Sequence, residues 1–346
     1  MKSSIMVVEK IHSPSFRYIS YLLFFFDNSS HSDLGSHNHK LSLLIVAPEK
    51  GRVQKFENHI IKQLVKWRDD DRLIVVLENE GCHFLAEVDG DSGKTSIIRE
   101  VKASEFYFRV SPDEKYYLSG EIHTKKETIT DKLQSFVLRR FKYFQQLPFF
   151  DVVLSNKTND IYEFSVKSLN EEDNTDKQGR YSGNCFEWID ETRLAGQNGG
   201  VISIIDTITH QAINCIWDKN SSVLRFYPYE DNVLFIALKP DGISQLYKLE
   251  LSTNEISLIG FDNILNLLYY SENLYFYEKV EDGKSVIYES DTVEERKISE
   301  SGIVSSAVYS GNKDLFYCLD SENDQLFLTT AGRQGQCHRI NTNFPI

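Results

Sequence analysis

The sequence predicts an all-β fold, a β-propeller with seven blades as the leading count and six or eight as the neighbouring ones. Three observations predict it. A plan repeats about every forty residues, a period that marks ring or stacked architectures. Short apolar strands alternate with tight turns rich in Asp, Asn and Gly. Long helical patterns between those strands are few.

The clearest copy runs from Phe186 to Asp206. Trp188 ends a short strand, Asp190-Glu191 make a turn, and Arg193-Leu194-Ala195 begin the next strand. Gln197 to Gly200 form a second turn whose glycines tolerate positive φ. Val201 to Asp206 is then a strand of mostly β-branched residues. Further copies place Val233-Leu234-Phe235 after Glu230-Asp231-Asn232, Leu274-Tyr275-Phe276 after Ser271-Glu272-Asn273, and Leu315-Phe316-Tyr317 after Gly311 to Asp314. Their second turns are Asp241-Gly242, Asp282-Gly283 and Asn323-Asp324. The anchors Leu194, Leu234, Leu274 and Leu315 stand 40, 40 and 41 residues apart.

The first half repeats with less regularity. Arg72 to Val75 follows Asp69-Asp70-Asp71, and Lys115 to Leu118 follows Ser111 to Glu114. Val152-Val153-Leu154 with Asp160-Ile161-Tyr162 reads as a degenerate copy. Tyr18 to Phe26 with Leu41 to Val46 reads as another, its turn lengthened by residues 28 to 39. Arg52 to Arg68 carries Phe56, Ile60, Ile61, Leu64 and Val65 at helix-like spacing, which fits a short rim helix or a strand entering the next blade. About four short strands per unit bury too little alone. Sheets packed radially bury both faces and leave short edges, which is the propeller solution. The expectation is one domain over residues 1–346, its ring closed by N- and C-terminal strands, with residues 122–150 as an insertion.

Composition bounds the function classes. The 346 residues are 41% apolar and 26% charged, an ordinary globular balance. Five scattered cysteines without a C-x-x-C pair argue against a disulfide framework or a zinc site, and for an intracellular, cytoplasmic or nuclear, protein. Tyr18 to Phe26 is nine residues, against the ~20 of a membrane helix, so no membrane partner is expected. Residues 1–150 hold 22 basic and 20 acidic side chains, residues 151–346 hold 16 and 31. That acidic second half repels phosphate backbones, so nucleic acid is not the expected partner.

At Trp188 to Asp206 the W-x-D turn, the Leu-Ala strand start, the Gly-rich second turn and the Ile-x-Ile-x-Asp ending resemble WD-repeat proteins. Ser111-Pro112-Asp113-Glu114-Lys115 is similar to a turn of WD-repeat and TolB-like propellers. The family's Gly-His pair is absent and Trp-Asp occurs once, at Trp217-Asp218. The resemblance implies a diverged propeller acting as a rigid platform that binds a partner on its top face or rim.

Several motifs carry residue types that chemistry uses. Asp89 to Thr95 (DGDSGKT) lacks the first glycine of a phosphate loop, since position 88 is Val88. It also fails a calcium loop, with Gly93 and Lys94 at the fifth and sixth places. A hairpin turn between residues 84–88 and 96–99 is the expectation. His31, His37 and His39 cluster in a polar loop with Asp33 alone as a further ligand, so no metal is expected. No G-x-S-x-G elbow is present and no catalytic residue or cofactor is assigned. Peptidases of the prolyl-oligopeptidase type carry a similar propeller, with their chemistry in a second domain that this sequence is not expected to contain.

The segment from Lys125 to Phe150 departs most from the repeat. Between Ile122 and Leu147 it carries six basic and two acidic residues, interleaved with Phe136, Phe141, Tyr143 and Phe144. Arg beside aromatics is the composition of interface hot spots. Arg139, Arg140, Phe141, Lys142 and Tyr143 are therefore the expected protein-binding residues, with a blade-packed face as the plainer account of the aromatics. The resulting expectation is a non-enzymatic interaction scaffold or complex subunit. The alternative is a propeller enzyme or small-ligand sensor with its site at the central channel.

Overall fold

The computed structural model describes residues 4–26, 40–56, 60–123, 161–169, 179–183, 185–271, 273–291, 294–322, 325–334 and 337–345. Among them the chain forms seven four-stranded antiparallel sheets, each built from consecutive strands. Blade 1 comprises β1 (Ser4–His12), β2 (Ile19–Phe26), β3 (Lys40–Ala47) and β4 (Arg52–Phe56). Blade 2 comprises β5 (Ile60–Trp67), β6 (Arg72–Asn79), β7 (Cys82–Asp89) and β8 (Thr95–Val101). Blade 3 comprises β9 (Glu105–Val110), β10 (Tyr116–His123), β11 (Ile161–Ser168) and β12 (Arg180–Ser182). Blade 4 comprises β13 (Cys185–Trp188), β14 (Arg193–Asn198), β15 (Val201–Asp206) and β16 (Ala212–Ile216). Blade 5 comprises β17 (Ser222–Tyr229), β18 (Asn232–Leu238), β19 (Ser244–Glu250) and β20 (Glu255–Gly260). Blade 6 comprises β21 (Ile264–Tyr270), β22 (Tyr275–Glu281), β23 (Lys284–Ser290) and β24 (Glu295–Ser301). Blade 7 comprises β25 (Val308–Ser310), β26 (Leu315–Glu322), β27 (Gln325–Gly332) and β28 (Cys337–Pro345).

The fourth strands, such as β16 and β20, are the most exposed, and in blades 4 and 6 the first strands, β13 and β21, are mostly buried. The first strands are thus the inner strands, as in a propeller, whose sheets stand around a central axis. The fold is a seven-bladed β-propeller, as the repeat predicts. The anchors Leu194, Leu234 and Leu315 fall on the second strands, with Leu274 directly before β22.

The turn residues act through their carboxylates. Asp190 accepts the N–H groups of Thr192 and Arg193 at 2.9 and 2.8 Å, and Asp206 accepts those of Ile208 and Thr209. Asp282 and Gly283 both take positive φ, 50° and 76°, between β22 and β23, as a two-residue hairpin of this twist requires.

Residues 161–168 are the third strand of blade 3 rather than part of a separate copy. Of the two readings of Arg52 to Arg68 the strand holds: its described residues form β4 and β5, and β5 enters blade 2. Among the described strands none is exchanged between the first and last blades, so N- and C-terminal strands do not complete a shared sheet.

The chain divides into two compact units, Met1–Glu100 with Leu265–Ile346, and Val101–Ile264. In the first, Tyr21, Leu44, Val308, Leu319 and Leu328 join blades 1 and 7 in one buried cluster. Leu43, Ile45, Leu73 and Val75 do the same for blades 1 and 2. In the second, Phe164, Phe186, Trp188 and Leu194 form the core between blades 3 and 4.

Candidate functional site

Lys10 and His12 lie two residues apart near the end of inner strand β1, so they project from one side of it. Lys10 Nζ donates to Glu278 Oε2 at 2.6 Å. Glu278 sits in β22 with its side chain wholly buried, and the Lys10 side chain is 9% exposed. An isolated buried charge is expensive, and a buried pair survives only when its remaining polar atoms are also satisfied. Here they are. Glu278 Oε2 accepts a second bond from Asn266 Nδ2 at 3.0 Å, and Oε1 accepts the Ser285 hydroxyl and the Ala307 N–H, the latter at 3.1 Å. Asn266 also donates to Ser305 Oγ at 2.8 Å. Ser305 takes φ 64°, a left-handed conformation that a non-glycine residue adopts at a cost and that clusters at functional sites.

Two weak acids flank this network. Tyr21 is fully buried and its hydroxyl has no hydrogen-bond partner among the described residues. Burial, with the nearby Cys318 and Glu278, pushes its pKa well above the ordinary value. The Cys318 thiol is raised by burial and then by Glu278.

His12 differs from these groups in reaching solvent. Desolvation by the surrounding protein nevertheless lowers its pKa, against the opposing effect of its bond to the Ser13 backbone. That shift favours the neutral imidazole. Its Nδ1 lies 2.8 Å from the Ser13 carbonyl oxygen, which can only accept, so Nδ1 carries the proton and Nε2 keeps its lone pair. The ring stacks on Phe16 with centroids 3.6 Å apart, and Phe16 holds φ 59° to reach it. A neutral, oriented imidazole with an available lone pair can take a proton.

Two other polar clusters serve packing. In the β7–β8 hairpin, the Asp91 carboxylate accepts the Tyr18 hydroxyl at 2.5 Å and Arg17 Nη2 at 2.7 Å, with Lys50 Nζ at 3.6 Å. The Tyr18 bond first, then Lys50 and Arg17, hold its pKa low, while burial and this bond push Tyr18 up to about 12. Arg52 and Gln54 bind the Asp91 carbonyl, so the turn is clamped to blade 1. In the second unit Arg109 Nε donates to Glu187 Oε2 at 3.0 Å, and its guanidinium lies 4.3 Å from the Tyr107 ring centre.

The structure makes Asp89–Thr95 a hairpin turn, as expected. Arg139, Arg140, Phe141, Lys142 and Tyr143, like the 122–150 insertion beyond residue 123 and His31, His37 and His39, lie outside the described residues. Among the described residues no group of three metal-ligating side chains occurs, and no helix is long and apolar enough to cross a membrane. Lys10, His12, Asn266, Glu278, Ser285 and Ser305 were not legible as a site. The available signal was a charge inside an apolar strand, in Tyr275-Phe276-Tyr277-Glu278-Lys279-Val280.

The chain shares its propeller fold with several solved structures. It is similar to an acylaminoacyl peptidase in complex with Z-Gly-Gly-Phe-chloromethyl ketone, with TM-score 0.60 and 11% identity over 97% of this chain and 52% of that one. It is similar to the β-propeller domain of the Trilobed protease from Pyrococcus furiosus, described as having an open velcro topology (TM-score 0.57, 11% identity, 97% and 95% covered). It is also similar to an oligogalacturonate lyase in complex with manganese (TM-score 0.58, 9% identity, 96% and 97% covered). The chain spans about half the length of the peptidase. At these identities the likeness shows the fold alone. No protein-family profile and no curated protein matches the chain.

These neighbours bear on two expectations. The propeller fold is shown, and because they are peptidase and lyase propellers they do not confirm the resemblance to WD-repeat proteins. The expectation of a non-enzymatic interaction scaffold is overturned by the same neighbours, whose propellers belong to enzymes.

Proposed function

We propose that this propeller is an enzyme acting on a small polar ligand at the inner strands of its first unit, with His12 as general base. The observation that carries this reading is the pairing on β1 of a solvent-reaching imidazole of lowered pKa with a lysine locked to a buried glutamate. His12 Nε2 takes the proton. The Lys10–Glu278 pair, held by Asn266, Ser285 and the Ala307 N–H, fixes the strand end from which His12 projects. Propellers of a lyase and of peptidases share the architecture, which supports an enzyme and suggests oligogalacturonates and N-blocked peptides as first probes.

The test is calorimetric binding and turnover of that panel by the wild-type chain, His12→Ala and Lys10→Met, with fold checked by circular dichroism. Turnover of a panel member that His12→Ala lowers about 100-fold or more supports the reading, since general base catalysis is worth ~10²–10⁴. Because the base must be unprotonated, the rate of that reaction falls as the pH drops through the lowered His12 pKa. Turnover undiminished in His12→Ala, or no binding and no turnover across the panel, overturns it.

A further inference from the structure

The outer strand of blade 4 is an edge without the usual protection. Exposed strand edges are normally blunted by charged side chains, Pro or bulges, because their unpaired N–H and C=O groups invite another strand. The other outer strands each carry charge: Arg52 and Lys55 in β4, Arg99 and Glu100 in β8, Arg180 in β12, Glu255 in β20, Arg296 and Lys297 in β24, Arg339 in β28. β16 reads Ala212-Ile213-Asn214-Cys215-Ile216 and has none. Its Ile213 and Ile216 are 50% and 90% exposed, and Ile208 in the preceding turn is 56% exposed. Its pairing with β15 is regular from Val201↔Ile216 to Ile205↔Ala212, so no bulge interrupts it, and among the described residues no strand pairs with its far edge.

We propose that β16 pairs antiparallel with β16 of a second copy of this chain, about a two-fold axis at Asn214. The charge-free ladder argues for a second copy. Pairing about Asn214 sets Ile213 opposite Cys215 and Ala212 opposite Ile216, with no charge in the ladder. His210 and Asp218 lie outside the strand, His210 in the preceding turn at φ 58°, so the ladder itself sets no charge against charge. A five-residue ladder buries less than the roughly 1,600 Å² of a standard interface, so the dimer is weak, with a dissociation constant in the micromolar range.

Sedimentation velocity of the full chain, from about 1 to 200 μM at neutral pH, tests this. The expected result is a concentration-dependent monomer–dimer equilibrium whose midpoint rises about tenfold or more in Ile216→Lys and in Ile213→Lys. Both positions face solvent, so these variants keep the fold. Leu258→Lys, on exposed β20, is the control and leaves the equilibrium unchanged. A wild-type chain monomeric throughout, whether or not another protein occupies the edge, overturns the proposal. So does a dimer that survives both β16 substitutions or is lost equally in Leu258→Lys.

Discussion

At position 278 a carboxylate stands where the strand pattern asks for an apolar residue. Its cost is met by four donors: Lys10, Asn266, Ser285 and the Ala307 N–H. Such a site behaves asymmetrically, because removing one charge strands the other, whereas removing both leaves a neutral core. Lys10→Met is expected to lower the unfolding free energy by ~3–5 kcal/mol, and Lys10→Met with Glu278→Leu to recover most of that loss. Urea denaturation of the two variants checks it, and a double variant no more stable than the single one sinks the account. The sequence displayed Lys10, His12 and Glu278 individually, but nothing in it linked β1 to a strand 268 positions away.

Within the elements, legibility followed local chemistry. The Asp-led turns were readable because an Asp carboxylate caps the N–H groups two and three residues on, as Asp190 and Asp206 do. The stretch from Arg52 to Arg68 was ambiguous because β5 carries register shifts between Ile61 and Gln63 and between Leu64 and Lys66. Each shift breaks the two-residue alternation, so the apolar positions fall at spacings that mimic a helix. Gly196 lies in β14, where its role is set by packing rather than by a turn. A Cβ there would lie 2.0 Å from Phe186 Cε1, a ring held in the core between blades 3 and 4. Gly196→Ala is expected to cost ~1–3 kcal/mol through overpacking, measured as a lower urea midpoint at unchanged slope. Phe186→Leu in that background should return part of it.

For the molecule as a whole, the absence of an exchanged strand among the described blades gives packing the task of joining blade 7 to blade 1. That seam in the first unit rests on Tyr21, Leu44, Val308, Leu319 and Leu328, with Lys313 and Glu49 paired at its surface. The exposed ion pair adds little. Leu328→Ala is expected to cost ~2–5 kcal/mol as a core truncation, and Leu258→Ala at the exposed edge to stay within about 0.5 kcal/mol. Thermal unfolding of both compares the two sites directly. A seam variant as mild as the edge variant would show that the buried cluster does not hold the first and last blades together.

The sequence by itself determined the all-β class, the forty-residue blade and the positions of most turns, with seven as the leading blade count. These are set by alternation and by side chains bonding to backbone a few residues away, and both are local in the chain. Tertiary structure alone decided that each terminal blade is self-contained, that 161–168 completes blade 3, and that Lys10 meets Glu278. It also decided that His12 stacks on Phe16 and that the uncharged strand β16 lies at the edge of its sheet. Those facts depend on which strands become neighbours and how far each side chain is withdrawn from water, and a pattern of residue types along one chain does not encode either.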